Sequence, residues 1–528
     1  MSDRIKKQIL GAFRLEGFSL KGDACDYLVN QLAPVDSEDR NEWIEKLIDC
    51  LQKQNLESAI LNKNQIETAF LESFRVDDES NQIELNVISI FDIPHFYFDI
   101  DEKKFFHKQK SRFKPLMCGP PSSKANLFRE RYFILRQLVQ RNDLFSPALP
   151  GDFNERRKNQ LKTVDYFLST TRRIDDCVIL GLLTQLKERQ YFIEDPTGHL
   201  QLDLSELSSL HILCSLFFLI PMHTFHRGFI TEGSYVLVEG CYQDLVFHAT
   251  GFALPPPEPS FESRILFNNV NTFGGPFEKD IHNCPRLSKI EKENEHAMLV
   301  FLSDIWLDKP EVLEKLETVF GGYNDFPPAA MVLMGNFLSS STSYLCAQTL
   351  RTKFKELGEL IAKFPNLANQ TKFIIVPGPG DSPHPNILPR PPLPKFITEE
   401  LMKLVKNCTA TSNPVRLQYC AQEIVITREN LFSKIARSSM NIPNKDVYNH
   451  VICFNDIVSG SSITSSIECL PIYWDWDAAL RIYPLPDVLV LADSIDAFQG
   501  SFSASNFEFK AYMPATKTVE ECGVGDEA

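Results

Sequence analysis

The sequence predicts a multidomain α/β chain with three folded parts in order: a helical N-terminal domain, a small β-barrel and a layered α/β domain. Three observations carry this reading. Apolar residues in the first 75 positions recur at helical spacing, and from about Asp165 the period falls to two. From Ala297 onward, short apolar runs end in small loops and alternate with helical stripes. At 528 residues the chain is too long for one ordinary core, since roughly 150 residues suffice per domain. The divisions drawn are residues 1–75 (helical), 76–164 (a connector with one helical segment), 165–260 (barrel) and 261–528 (α/β).

Composition narrows the class. With 43% apolar and 23% charged residues, the chain has little room for large-scale disorder. Its 40 phenylalanines favour large cores or sizeable buried interfaces. A net charge of −15 argues against a protein whose main task is gripping nucleic acid, though not against a local basic patch. The 13 cysteines form no CxxC pair, and no signal peptide is recognisable, which reads as reduced intracellular thiols. One strongly apolar run, residues 210–221, is shorter than the ~20 residues that span a bilayer and is read as a buried element.

The helical domain carries four stripes: Ile5, Ile9 and Phe13; Tyr27, Leu28 and Leu32; Trp43, Ile44, Leu47, Ile48 and Leu51; and Ile66, Phe70 and Phe74, the last opened by Asn64 and Glu67 in capping-box positions. In the connector a basic run holds aromatics: Lys103, Lys104, Phe105, Phe106, Lys108, Lys110, Arg112, Phe113 and Lys114. Such a mixture either lines a nucleic-acid backbone and stacks bases or is a solvated face. A helical segment over 124–141 precedes a Pro- and Gly-marked linker at 146–152.

In the barrel region, 177–186 reads as one strand. Residues 191–205 read as a hairpin turning at Asp195-Pro196-Thr197-Gly198, with Leu200, Leu202 and Leu204 alternating, and 235–255 supply two more strands. Five or so short strands around a small core suggest an OB-type β-barrel. In the α/β region, apolar segments at 300–302, 329–337, 371–381, 415–427 and 487–496 read as strands running into their end loops. A helix opened by Pro310 is expected to stop at Gly321.

Three strand-end loops present chemistry. A two-metal phosphoesterase needs carboxylates and imidazoles converging from such loops. The first loop is Asp304-Ile305-Trp306, a carboxylate with no imidazole after it. The second is Gly335-Asn336-Phe337, with a neutral amide where two divalent ions would share a carboxylate. The third runs from Pro377 to Asp381, with Pro379 at a ligand's place. His384 and His450 fall in no ligand pattern, and His223 with His226 could meet a metal on a helix turn but lacks a third ligand. No phosphate loop, nucleophile elbow or dinucleotide fingerprint occurs. The reading is a degenerate site, with no catalytic residue, metal or cofactor. An active phosphodiesterase and an independent single-strand-binding barrel are the alternatives.

Several segments together resemble a known family: FDIPHFYFD at 91–99, FRERYFILRQ at 128–137, the barrel hairpin at 180–205, FGGP at 273–276, the loops at 300–308 and 376–381, LPRPPLP at 388–394, and YWDWDAALRIYPLPDVLVLAD at 473–493. They are similar to the B-subunits of replicative DNA polymerases, in the branch that serves polymerase epsilon. The resemblance implies a nuclear, non-catalytic subunit. Its barrel and degenerate calcineurin-like metallophosphoesterase domain would hold the C-terminal region of the catalytic subunit. Its first domain would be like the lid of AAA+ ATPases and link the polymerase to the replicative helicase through GINS. Two small histone-fold subunits would complete the assembly, with DNA met only indirectly or weakly and no membrane contact. An archaeal relative of the family that keeps the metal ligands is a nuclease, and this chain departs from it at Trp306, Asn336 and Pro379. The apolar stretch 208–227 is longer than expected for that barrel connection. LPRPPLP fits a polyproline ligand but is read as a packed loop.

Overall fold

The computed structural model describes residues 2–15, 17–32, 44, 47–48, 60–63, 66, 85–108, 115–142, 145, 160–188, 190–205, 230–256, 258–267, 270–340, 346–381, 385–439, 470–494 and 507–524. The chain forms two compact units, Met1–Gln82 and Ile83–Ala528. Among the described residues no helix is long and apolar enough to cross a membrane.

In the first unit, helices Ser2–Leu15 and Gly22–Leu32 are joined through Gly17, whose φ of 82° is a left-handed conformation open to glycine without Cβ strain. Ile9 and Phe13, one turn apart, bury against Ala24, Cys25 and Leu28 of the second helix, and Ile44, Leu47, Ile48 and Ile66 join the same core. Each of the buried Ile, Leu and Phe side chains contributes about 1.5–3 kcal/mol of burial. A feature not expected is a short parallel ladder between β1 (Ser19–Leu20) and β2 (Ile60–Leu61). Trp43, Leu51, Asn64, Glu67, Phe70 and Phe74 lie outside the described residues.

The second unit begins with β3 (Leu85–Ser89), in the segment read above as a connector. That reading needs correction. β3 pairs antiparallel with a strand near residue 417 and forms the edge of an α/β sheet. A hairpin follows, β4 (Phe96–Asp99) and β5 (Lys104–His107), and then helix Pro121–Arg141, which buries Leu127, Tyr132, Leu135 and Val139. Its Arg131, 4% exposed, pairs with Asp477, and Arg481 bonds both Asp477 and Glu130. An ionic network thus ties this helix to the 3₁₀ turn Trp474–Leu480.

The barrel comprises β6 (Leu161–Lys162), β7 (Ile174–Lys187), β8 (Gln190–Asp195), β9 (Gly198–Asp203), β10 (Tyr235–Gln243) and β11 (Val246–Ala253). Their order is β10-β11-β9-β8-β7-β6, and β10 also pairs with β7, closing the sheet on itself. The β8–β9 turn forms where expected because Asp195 Oδ1 accepts from the backbone of Thr197 at 2.7 Å and Gly198 at 3.1 Å. Leu200 and Leu202 point inward with Ile179, Ile193 and Phe247. The stretch 208–227, with His223 and His226, lies outside the described residues.

The α/β part has two sheets. The first holds β12 (Leu299–Leu302), β13 (Ala330–Met334), β14 (Lys372–Val376) and β15 (Cys408–Ala410), all parallel. The second holds β16 (Val415–Tyr419), β17 (Gln422–Arg428) and β18 (Val488–Ala492), in the order β18-β17-β16-β3. A C-terminal hairpin not expected from the sequence, β19 (Phe507–Met513) and β20 (Thr518–Val524), extends the first sheet beside β12. The sheets pack face to face through Val332, Ile374, Leu417, Tyr419, Ile424 and Ile426. Helices Pro310–Tyr323, Cys346–Ala362 and Lys395–Leu404 cover the outer face of the first sheet. The first of these runs through Gly321 rather than stopping there: burial of Leu316, Val319 and Phe320 holds the turn against glycine's weak helix preference of about 1 kcal/mol.

Candidate functional site

β12, β13 and β14 are adjacent and parallel, so the loops leaving their carboxyl ends converge. They bring together Asp304, Asn336 and Asp381 as the sequence suggested. Asp304 adopts a left-handed φ of 53° and is half-buried. Its Oδ1 accepts from the backbone N–H of Asn336 at 3.2 Å and from its Nδ2 at 3.1 Å. Asn336 Oδ1 in turn accepts from the backbone of Gly380 at 2.6 Å. Asp381 is buried and accepts from the backbone of Phe337 at 2.8 Å and of Gly378 at 2.7 Å. Burial pushes its carboxyl group up, against the pull of those two donors.

The residue not anticipated is Arg428, at the end of β17 in the other sheet. Its side chain is 0% exposed, and Nη2 lies 2.8 Å from each Asp304 oxygen. Nη1 donates to Asn430 Oδ1 at 2.7 Å and to the Ala492 carbonyl at 3.3 Å. An arginine closing the apolar strand EIVIT was a visible signal, because a charge there needs a buried counter-ion.

These residues do not fit a pair of divalent ions. Such a pair needs several free oxygen or imidazole donors around a gap of about 3.5–4 Å. Here both Asp304 oxygens face a guanidinium, and both Asp381 oxygens and Asn336 Oδ1 accept backbone protons. Trp306 is 41% exposed, and its backbone N–H donates to the Asp304 carbonyl at 3.0 Å. Gly335 approaches Asp381 closely, and Pro379 brings no ligand atom. His384 and His450 lie outside the described residues.

The basic run divides. Lys103 and Lys104 are exposed at the β4–β5 turn, and Phe106 is half-buried beside Tyr97. Phe105 corrects the expectation of a base-stacking residue: its ring is buried, stacked on Phe267 at 4.1 Å and 5.8 Å from Tyr483. Lys108 is half-buried, while Lys110 and Arg112 lie outside the described residues.

Elsewhere among the described residues, Asp280, His282 and Glu423 bring metal-type ligands together, a grouping with no local signature along the chain. Their polar atoms already have protein partners. His282 Nδ1 is 2.6 Å from Asp280 and Nε2 is 2.7 Å from Asp487, while Arg264 is 2.9 Å from Glu423. Burial disfavours the imidazolium, but the hydrogen bonds to Asp280 and Asp487 outweigh it and hold His282 up at about 9.

Similarity to known proteins spans this site. The family profile of the DNA polymerase alpha/epsilon B-subunit matches residues 299–500, which include all three loops and Arg428. A protein of Homo sapiens named DNA polymerase epsilon subunit 2 is 39% identical over 536 residues, covering 98% of each chain. The chain belongs to the DNA polymerase epsilon subunit 2 family. The subunit 2 of Drosophila melanogaster is 35% identical, covering 99% of this chain and 98% of that one. The polymerase epsilon B-subunit of Saccharomyces cerevisiae is 26% identical, covering 71% of this chain and 63% of that one. The profile of DNA polymerases epsilon N terminal matches residues 1–73. The epsilon subunit 2-like OB-fold profile matches 121–256. The barrel is therefore an OB-fold domain within a mixed α/β chain. In the epsilon subunit 2 family this domain takes in the helix Pro121–Arg141, which was read above as part of a connector.

Proposed function

We propose that this chain is a non-catalytic accessory subunit of nuclear DNA polymerase epsilon, acting as a scaffold. The observation that carries the reading is the pairing of full-length similarity to epsilon subunits with a strand-end site whose key carboxylate is spent on a buried arginine. In this reading residues 261–528, with β3, form a degenerate calcineurin-like phosphoesterase domain, in which Asp304, Asn336, Pro379 and Asp381 hold no metal and catalyse nothing. That domain and the barrel hold the C-terminal region of the polymerase epsilon catalytic subunit, with two small histone-fold subunits in the same assembly. Residues 1–75, lid-like in the AAA+ sense, link it to the helicase through GINS. The division into two compact units supports a separable N-terminal function. Lys103 and Lys104 touch DNA at most weakly, given the overall charge of −15.

Co-expression of the full chain with the polymerase epsilon catalytic subunit tests this. A stable complex is expected, and removal of residues 1–75 should leave it intact while abolishing capture of GINS. Absence of the complex, or GINS capture unaffected by the deletion, would overturn the corresponding part. Manganese-dependent phosphodiester cleavage that disappears in Asp304→Asn would overturn the non-catalytic reading.

A further inference from the structure

Arg428 sits where the chemistry of a strand-end carboxylate cluster calls for a cation. Three loops bring two carboxylates, Asp304 and Asp381, to one point, and their close approach has to be offset by positive charge. One guanidinium nitrogen supplies it, 2.8 Å from both oxygens of Asp304. The second and third loops are also packed tightly: a Cβ added at Gly335 would lie 1.7 Å from Asp381 Oδ2 and 2.6 Å from the Gly378 backbone nitrogen. Arg428 itself is fixed from behind, because Asn413 Oδ1 accepts from its backbone N–H at 3.1 Å and Asn413 Nδ2 donates to its carbonyl at 2.7 Å. The same Asn413 Nδ2 reaches the carbonyl of Pro377, in the third loop, at 2.7 Å. The guanidinium is therefore built into both sheets at once.

We infer that Arg428 is an internal counter-cation that takes the seat of a divalent ion, so that closure of the Asp304, Asn336 and Asp381 loops is independent of metal and refuses it. A divalent ion entering beside a fixed positive charge meets like-charge repulsion and finds no free carboxylate oxygen. Removing the guanidinium frees Asp304 Oδ2, leaves Oδ1 with its Asn336 donors alone, and opens a seat that oxygen-preferring divalent ions can occupy, with Asp304 as the essential ligand. The inference rests on the non-catalytic reading above.

The test is Mn²⁺ titration of the full chain, following loss of the free-ion electron paramagnetic resonance signal, with the thermal midpoint measured in parallel. Wild type is expected to bind no Mn²⁺ and to keep the same midpoint in EDTA and in millimolar Mn²⁺. Arg428→Ala should melt lower, bind Mn²⁺ at least roughly tenfold more tightly than wild type and regain part of its midpoint when the ion is added. The double variant Arg428→Ala with Asp304→Asn should lose that gain. Arg428→Lys, which keeps the charge, should stay blind to Mn²⁺. So should Asn336→Asp, which adds a carboxylate while leaving Arg428 in place; both remain informative should Arg428→Ala not fold. Stoichiometric Mn²⁺ binding by wild type, Arg428→Lys or Asn336→Asp, or a folded Arg428→Ala that ignores the ion, would overturn the inference. Phosphodiester turnover is followed in the same samples. Wild type that binds Mn²⁺ without turnover sinks only the internal-cation inference, whereas Asp304-dependent turnover also sinks the non-catalytic reading.

Discussion

Arg428 and Asp304, 124 residues apart in sequence, meet across the two sheets of the α/β domain, with a fully buried guanidinium on one side and a half-buried carboxylate on the other. The asymmetry decides which partner matters more for stability. Asp304 can reach water when left alone, but Arg428 cannot.

Asp304→Ala should therefore cost more than a spent surface carboxylate would. Stranding a buried charge costs about 3–5 kcal/mol, whereas Asp304→Asn keeps an oxygen acceptor and should cost less. Urea unfolding of the two variants checks this, and an alanine variant as stable as wild type would mean that water or another acceptor reaches the guanidinium. Any functional comparison is accordingly cleaner with asparagine.

The His282 cluster should give stability a definite pH dependence. Its imidazole rises from an ordinary 6.5 to about 9 in the folded chain. The stabilisation from this group is thus complete below about 6.5 and lost as pH climbs through about 9. Asp280 and Asp487 are held below the usual carboxylate range, so their contribution is present above about 3.9 and lost as pH falls through their depressed folded values. The difference in unfolding free energy between wild type and His282→Gln should shrink by up to about 3 kcal/mol from pH 6 to pH 9.5. A difference flat across that range would show that the histidine stays neutral.

Phe105→Ala should destabilise by about 3–5 kcal/mol through a cavity between Phe267 and Tyr483. Lys104→Ala, on the exposed turn, should change stability by less than about 0.5 kcal/mol. Denaturant unfolding separates them. Equal, small effects would mean that the aromatic cluster relaxes to fill the gap.

Asp477 balances two buried arginines, Arg131 and Arg481. Asp477→Ala should loosen the joint between helix Pro121–Arg141 and the α/β domain, read as faster proteolytic cleavage near residues 116–120 and as a loss of about 3–5 kcal/mol. Unchanged cleavage with unchanged stability would show that Glu130 alone suffices as counter-ion.

What the sequence disclosed follows the range of the interactions involved. Leu200, Leu202 and the Asp195 turn are local, so period and turn chemistry located the hairpin. Asp304, Asn336 and Asp381 were legible because parallel strands deliver their end loops to one place whatever lies between. Arg428 and β3 were not, because each is defined by a partner over a hundred residues away. Phe105 shows another limit: a Lys-Lys-Phe-Phe pattern states which chemistry is present, but not which ring faces inward. Gly321 misled because tertiary burial overruled local preference.

The pairing of β3 with β16 also imposes an order of events during synthesis. A ribosome adding about 5–20 residues per second would produce β3 roughly 20–70 s before its partner strand emerges. The barrel, lying between them in the chain, has that interval in which to fold. It is in effect an insert, enclosed when the second sheet closes around its two connections. A fragment that starts after the barrel would leave β16 without its neighbour, presenting a bare strand edge that invites aggregation. Clones of the C-terminal half should therefore carry residues 85–89 with them.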